Sequence, residues 1–157
     1  MEEAPSCVDF DRQFNEIDRA YSGFARACGI SDCAFWMLMD TATNGGEVAV
    51  SWLTSEWYYS KQTINSALKT LTARNMVELD FAVGSRKNKI VRLTAEGRAY
   101  SERYVLPALK AENRAFEALE PAERTELMRI LGKFSAALGN EVELFAEHVK
   151  ANEADKE

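Results

Sequence analysis

Apolar residues recur every three or four positions near the start of the chain and predict a long helix that ends near Gly29. Ser31 can cap a second helix, whose apolar face reaches Ala42 and which Asn44-Gly45-Gly46 ends. A short helix is predicted around Val50 to Tyr58. The apolar stripe of the first helix consists of Phe10, Phe14, Ile17, Tyr21, Phe24 and Cys28.

The middle of the chain predicts a helix followed by a β-hairpin. Ser60 resembles the N-cap of the helix, and Asn75 can adopt the left-handed conformation that ends it. From Val77 to Val83 apolar and other residues alternate, which predicts a half-buried strand. Residues 84–88 form a basic turn, and Lys89–Leu93 supply the returning strand. The buried face of the helix is predicted to be Ile64, Leu68 and Leu71.

Two long helices are predicted after the hairpin. Thr94 can cap the first, Pro107 should kink it, and Pro121 suits the first turn of the second. The apolar stripes of the terminal helices, at 8–29 and 98–150, are too long for one small domain to cover. They favour a two-fold dimer interface, although packing within the chain is the alternative reading.

The order of elements predicts a mainly α fold with a small β-hairpin wing, in which 31–97 form a winged helix-turn-helix within a single domain of 1–157. An α-helix fits the DNA major groove, where amide side chains pair with base edges and lysines pair with phosphates or guanine. The alternative is that the polar side chains of the helix that begins at Ser60 are only the solvated face of an amphipathic helix. The residues expected to bind DNA are Ser60, Lys61, Gln62, Thr63, Asn65, Ser66 and Lys69 on the helix and Arg86, Lys87 and Lys89 on the loop.

The charge distribution changes how the net charge of −6 is interpreted. Residues 60–98 hold eight basic and three acidic side chains, so this segment carries +5 and the remainder −11. A basic centre between acidic arms suggests one surface for a polyanion, although chance clustering explains the charge equally well. The start of the chain lacks the pattern of a signal peptide, no apolar run would span a bilayer, and the odd number of cysteines shows no disulfide spacing. A cytoplasmic protein is expected.

Three segments together resemble the MarR family of bacterial regulators. They are residues 53–68, read Leu-Thr-Ser-Glu-Trp-Tyr-Tyr-Ser-Lys-Gln-Thr-Ile-Asn-Ser-Ala-Leu, then Leu71 with Asn75-Met76-Val77, and Leu93-Thr94-Ala95-Glu96-Gly97. The resemblance implies a homodimeric winged helix-turn-helix protein, commonly a repressor, that binds pseudo-palindromic duplex DNA and is often released by a small aromatic effector.

The wing departs from the pattern of that family. Its usual Asp-x-Arg falls on Ser85 and Lys87 here, so the internal Asp–Arg support is absent. Lys87 or Arg86 can still enter a minor groove, whose negative potential attracts cations.

Only a few residues indicate how a small molecule or an oxidant could regulate the protein. Aromatic and methionine side chains that could line an effector pocket are Tyr21, Trp36, Met39 and Trp52, although such residues more often form core. A cysteine-based redox sensor is a further alternative, with Cys33 as the candidate because the start of a helix can stabilise a thiolate.

Other classes of function find little support. With one histidine, His148, and no phosphate loop or nucleophile motif, the sequence predicts no enzyme, metal site or cofactor. A winged-helix module that binds protein instead of DNA remains open, because the overall acidity permits it. The salt dependence of DNA binding distinguishes the two readings.

Overall fold

The computed structural model describes residues 4–56, 59–85 and 87–154. Helix α1 spans Cys7–Cys28 and begins at a capping box, in which Ser6 and Asp9 each accept a hydrogen bond from the other's backbone N–H. It ends at Gly29, whose φ of 69° places it in the left-handed region. Helix α2, Asp32–Thr43, begins at Ser31 as predicted.

The later elements follow the predicted order, with one addition. Strand β1, Glu47–Ala49, was not predicted, and it runs directly into the short helix α3, whose predicted last residues, 57 and 58, lie outside the described part of the chain. The bounds are α3 Val50–Glu56, α4 Lys61–Ala73, β2 Val77–Phe81, β3 Lys89–Leu93, α5 Ala95–Tyr100, a π-helical segment Ser101–Val105, α6 Leu106–Glu117 and α7 Pro121–Ala154.

The three strands form an antiparallel sheet in the order β1-β3-β2. Val91 of the central strand pairs with Val48 on one side and Leu79 on the other. The prediction of a half-buried β2 is wrong beyond its first residue: Val77 is 2% exposed, whereas Leu79 is 43% exposed. Val48, Val91 and Leu93 of the other strands belong to the core, but on β2 only Val77 does, so the rest of that strand extends beyond the core.

Helix α2 lies at the centre of the core. Most of its residues are buried, among them Phe35 and Leu38, and it packs against α1, α4, β3 and the π-helical segment. The predicted buried face of α4 is confirmed for Ile64, Leu68 and Leu71. An amphipathic α4 therefore presents its other face to solvent.

Near Pro107, where the sequence predicts a kink, the helix contains a π-helical turn. Proline has no N–H to donate to the preceding turn. The N–H of Leu106 reaches back to the carbonyl of Ser101, an i→i−5 bond, and the helix continues as α6.

The chain divides into two compact units, Met1–Ala111 and Glu112–Glu157. The second unit is mainly α7, whose 34 residues make it about 51 Å long. Among the described helices, none combines the length and the apolar character that crossing a bilayer requires. The stripe predicted along α7 is exposed, with Leu127, Leu131, Phe134, Leu138, Val142, Phe145 and Val149 all in contact with solvent.

Candidate nucleic-acid interface

The start of α4 is fixed by a side-chain cap. The hydroxyl of Ser60 accepts a hydrogen bond from the N–H of Thr63 at 3.1 Å, and the two hydroxyls lie 2.8 Å apart. Because Ile64 and Leu68 anchor the opposite face, the polar positions of the first turns are held at the surface. All the side chains predicted to contact DNA on this helix are exposed, namely Ser60, Lys61, Gln62, Thr63, Asn65, Ser66 and Lys69.

The exposed face of α4 has the chemistry that a major groove requires. Gln62 and Asn65 each offer an amide with two donors and one acceptor oxygen, and Lys61 and Lys69 are the charged residues of the helix. No acidic residue lies between Lys61 and Ala73. This surface is therefore cationic, although the chain as a whole is acidic.

The turn between β2 and β3 is closed by hydrogen bonds to a serine. Gly84 has a φ of 77°, and the hydroxyl of Ser85 accepts hydrogen bonds from the N–H groups of Lys87 at 3.2 Å and Asn88 at 2.9 Å. Ser85 thus supports the wing from the position where the MarR pattern has aspartate. Lys87 and Lys89 are exposed, and Arg86 lies outside the described residues.

Arg92 ties the three strands of the sheet together. Its guanidinium lies 3.1 Å from Glu47, 3.2 Å from Asp80 and 3.8 Å from Glu78. The pKa of Asp80 is held below its ordinary value, chiefly by a hydrogen bond from the N–H of Phe81 and also by one from Arg92. Arg92 belongs to the basic segment in the sequence, but these contacts direct it to the sheet.

The end of α4 is joined to the start of α5 by a close backbone contact. Asn75 has the predicted left-handed conformation, with φ 53°, and its carbonyl accepts a hydrogen bond from the hydroxyl of Thr94 at 2.6 Å. That hydroxyl also accepts from the N–H of Gly97, and the N–H of Thr94 donates to the carbonyl of Met76 at 3.1 Å. A Cβ on Gly97 would lie 1.8 Å from the Met76 oxygen. The Leu-Thr-x-x-Gly motif therefore holds the end of α4 against the start of α5.

A groove of about 990 Å³ runs beside α4, between that helix and the corner where α1 meets α2. Arg26 and Arg74 line it together with Gln62, Thr63 and Ser66, which belong to the polar face of α4. A molecule in this groove would touch side chains that are predicted to read DNA.

The predicted effector-pocket residues lie mainly among packed side chains. The rings of Tyr21 and Trp36 are 5.4 Å apart, and Trp36 also borders a cavity of about 10 Å³, too small for an aromatic ligand. Met39 is 5% exposed and belongs to the core, and Trp52 packs against that core. This arrangement resembles ordinary core packing, the alternative reading of these residues.

The environment of Cys33 opposes the expectation of a stabilised thiolate. The residue is 6% exposed, and burial raises the pKa of its thiol to about 11. Desolvation penalises the charged form and outweighs any stabilisation from the start of α2. The expected low pKa is therefore wrong, and a neutral thiol is a poor nucleophile toward oxidants.

Solved structures of transcriptional regulators share this fold. A MarR family regulator from Neisseria meningitidis is 19% identical, with a TM-score of 0.73, and the match covers 88% of this chain and 97% of that chain. A putative MarR family regulator from Listeria monocytogenes, solved with a 26mer DNA, is 16% identical, with a TM-score of 0.66 and coverage of 88% and 92%.

A third match concerns a regulator whose DNA binding is controlled by a small molecule. BpsR of Bordetella bronchiseptica, whose DNA binding is regulated by 6-hydroxynicotinic acid, is 19% identical, with a TM-score of 0.60. The match covers 80% of this chain and 98% of that chain. No protein-family model and no curated protein matches the sequence. The predicted fold class is confirmed: the chain has the winged helix fold of MarR regulators.

Proposed function

We propose that this chain is a MarR-type transcriptional regulator that binds duplex DNA through α4 and the wing. The observation that carries the proposal is the exposed, capped and acid-free polar face of α4. In this arrangement Gln62 and Asn65 pair with base edges in the major groove, and Lys61 and Lys69 pair with phosphates or guanine. Lys87 lies on a turn that Ser85 braces, and it reaches the adjacent minor groove.

The proposed DNA-binding form is a homodimer. Apolar side chains are exposed along α1, where Phe14 and Ile17 are more than half exposed, and along the whole of α7. A second copy of the chain would cover such stripes through an isologous interface. Two recognition helices would then face half-sites about one helical turn apart on pseudo-palindromic DNA. Bound to a promoter, such a dimer acts as a repressor by occlusion, in the cytoplasm.

We further propose that a small aromatic acid releases the DNA. The groove beside α4 supports this, because its two guanidinium groups, Arg26 and Arg74, outnumber its one carboxylate, Asp32, which already accepts a hydrogen bond from Ser22. Gln62 and Thr63 face the same space. Occupancy would compete with DNA for those side chains. 6-Hydroxynicotinic acid is a suitable probe, and a shift of bound DNA to free DNA on its addition is the expected result.

Selection of bound fragments from random duplex DNA tests the function. We expect an enriched pseudo-palindrome, weaker binding to every sequence for Lys61→Ala and Lys87→Ala, and altered sequence preference for Gln62→Ala and Asn65→Ala. Lys110→Ala, an exposed lysine of α6, is the matched control and should bind as the unchanged protein does.

Two outcomes would contradict the proposal. If no fragment is enriched, the winged fold serves as a protein-interaction module instead. If Lys61→Ala and Lys87→Ala retain DNA as well as Lys110→Ala does, DNA is bound elsewhere on the chain.

A further inference from the structure

An apolar row runs from the core to the tip of the wing. Leu79 and Phe81 occupy alternate positions and share the strand face of buried Val77, and Val83 follows two residues later in the turn. Their exposure increases outward, from 43% at Leu79 to 50% at Phe81, and Val83 is fully exposed at the turn. Each exposed apolar side chain costs free energy in water, so a contiguous row of this kind suggests a partner surface.

Cations flank this row. Lys89 pairs with Phe81 in the sheet register, and Lys87 is exposed in the turn that follows Val83. No acidic residue occurs between Phe81 and Arg92. An apolar side chain between cations is the chemistry with which proteins approach the DNA minor groove, where apolar wedges contact base steps and lysines meet the negative potential.

The turn also holds Val83 in a defined place. The N–H of Ala82 donates to the carbonyl of Asn88 at 2.8 Å, and the N–H of Ser85 donates back to the carbonyl of Ala82 at 2.9 Å. These two bonds close the loop on both sides of Val83. The side chain is therefore presented to a partner without a large ordering cost.

We infer that Val83 contacts the floor of the minor groove and selects A·T over G·C at the base pair under the wing, an inference that rests on the proposed function. In the minor groove an A·T pair shows only acceptors, whereas G·C adds the 2-amino donor of guanine. Lys87 and Lys89 have donors but no acceptor, and valine has neither. The lysines can therefore satisfy the acceptors of A·T, whereas a guanine amino group that the methyl groups of Val83 cover is left without a partner at that point.

Inosine separates this mechanism from major-groove reading. Inosine lacks the 2-amino group and keeps the major-groove edge of guanine. The base pair under the wing is located on the selected duplex by hydroxyl-radical protection and is replaced in both half-sites by A·T, I·C or G·C. We expect A·T and I·C to bind about equally and G·C to bind about a hundredfold more weakly, which is about tenfold for each of the two replaced pairs and within the usual cost of a mismatched pair.

Substitution of Val83 assigns the effect to its side chain. Val83→Thr keeps the shape but adds a hydroxyl that can accept from the guanine amino group, so the ratio between I·C and G·C should fall to about twofold or less. Ala99→Ser, which adds a hydroxyl at an exposed position of α5, should leave the ratio unchanged.

Three results overturn the inference while the proposed function stands. The first is that the I·C duplex binds as weakly as the G·C duplex. The second is that Val83→Thr keeps the full ratio between the I·C and G·C affinities. The third is that Val83→Thr changes the oligomeric mass while that ratio persists, which assigns the row to a protein interface. If no duplex is selected at all, the proposed function fails, and this inference fails with it.

Discussion

Gly97→Ala tests the backbone contact that joins the end of α4 to the start of α5. The added Cβ would lie 1.8 Å from the carbonyl oxygen of Met76, whereas ordinary contact begins at 3.4 Å. The obstacle is backbone, so rotation of a flexible side chain cannot relieve it. Met76 would have to withdraw by about 1.5 Å, which also breaks the 3.1 Å hydrogen bond that its oxygen accepts from Thr94.

The cost follows from these contacts. Overpacking of this kind costs about 1–3 kcal/mol, and the lost hydrogen bond about 1 kcal/mol more. Alanine in a helix recovers about 0.5–1 kcal/mol relative to glycine. The net loss in the free energy of unfolding is therefore about 1–3.5 kcal/mol, and each kcal/mol lowers the melting temperature by about 2–4 °C for a chain of this size.

Urea denaturation followed by circular dichroism measures this difference. Gly23→Ala is the matched control, because Gly23 is also helical and its added Cβ would meet only the end of the Arg26 side chain at 3.9 Å. The control should match or exceed the stability of the unchanged protein. If Gly97→Ala is as stable as Gly23→Ala, the contact between Met76 and α5 does not constrain the fold.

Three further predictions concern the wing, the cysteines and the dimer. Ser85→Ala removes the acceptor of two backbone N–H groups in the turn, so hydrogen exchange at those amides should rise several-fold while global stability changes little. Cys7, which is exposed, should react rapidly with a thiol reagent at pH 8 and Cys33 slowly. Because the folded pKa of Cys33 is raised, the stability from its neutral thiol is complete below about pH 9 and is lost as pH rises through about 11. Cys33→Ala should make that slope shallower in unfolding titrations, and the part that persists belongs to Cys28, Tyr59 and Tyr100, whose pKa values burial also raises. Leu138→Glu, at an exposed apolar position of α7, should convert the proposed dimer to monomer in light scattering, and Lys133→Glu should not.

The sequence predicted best those features that local chemistry decides. Ser31, Ser60 and Thr94 each cap the helix that they were expected to begin, because a hydroxyl that accepts an N–H two or three residues later acts within one turn. Asn75 adopts its left-handed conformation for a similarly local reason. The exposed positions of α4 follow from its 3.6-residue period once the buried face is known.

Features that depend on distant parts of the chain were not predictable. Strand β1 has only three residues, and it exists because Arg92 and Val91 of β3 pair with it. The exposure of Leu79 and Phe81 depends on where the core ends, and alternation along the strand carries no signal of that.

The salt dependence of DNA affinity tests the central claim most directly. With Lys61 and Lys69 of both protomers on phosphates, the logarithm of the association constant should fall with the logarithm of salt concentration at a slope of about −4. Lys61→Ala should make that slope shallower by about two, one for each protomer. A slope near zero, or one that Lys61→Ala leaves unchanged, would contradict a DNA interface at the start of α4.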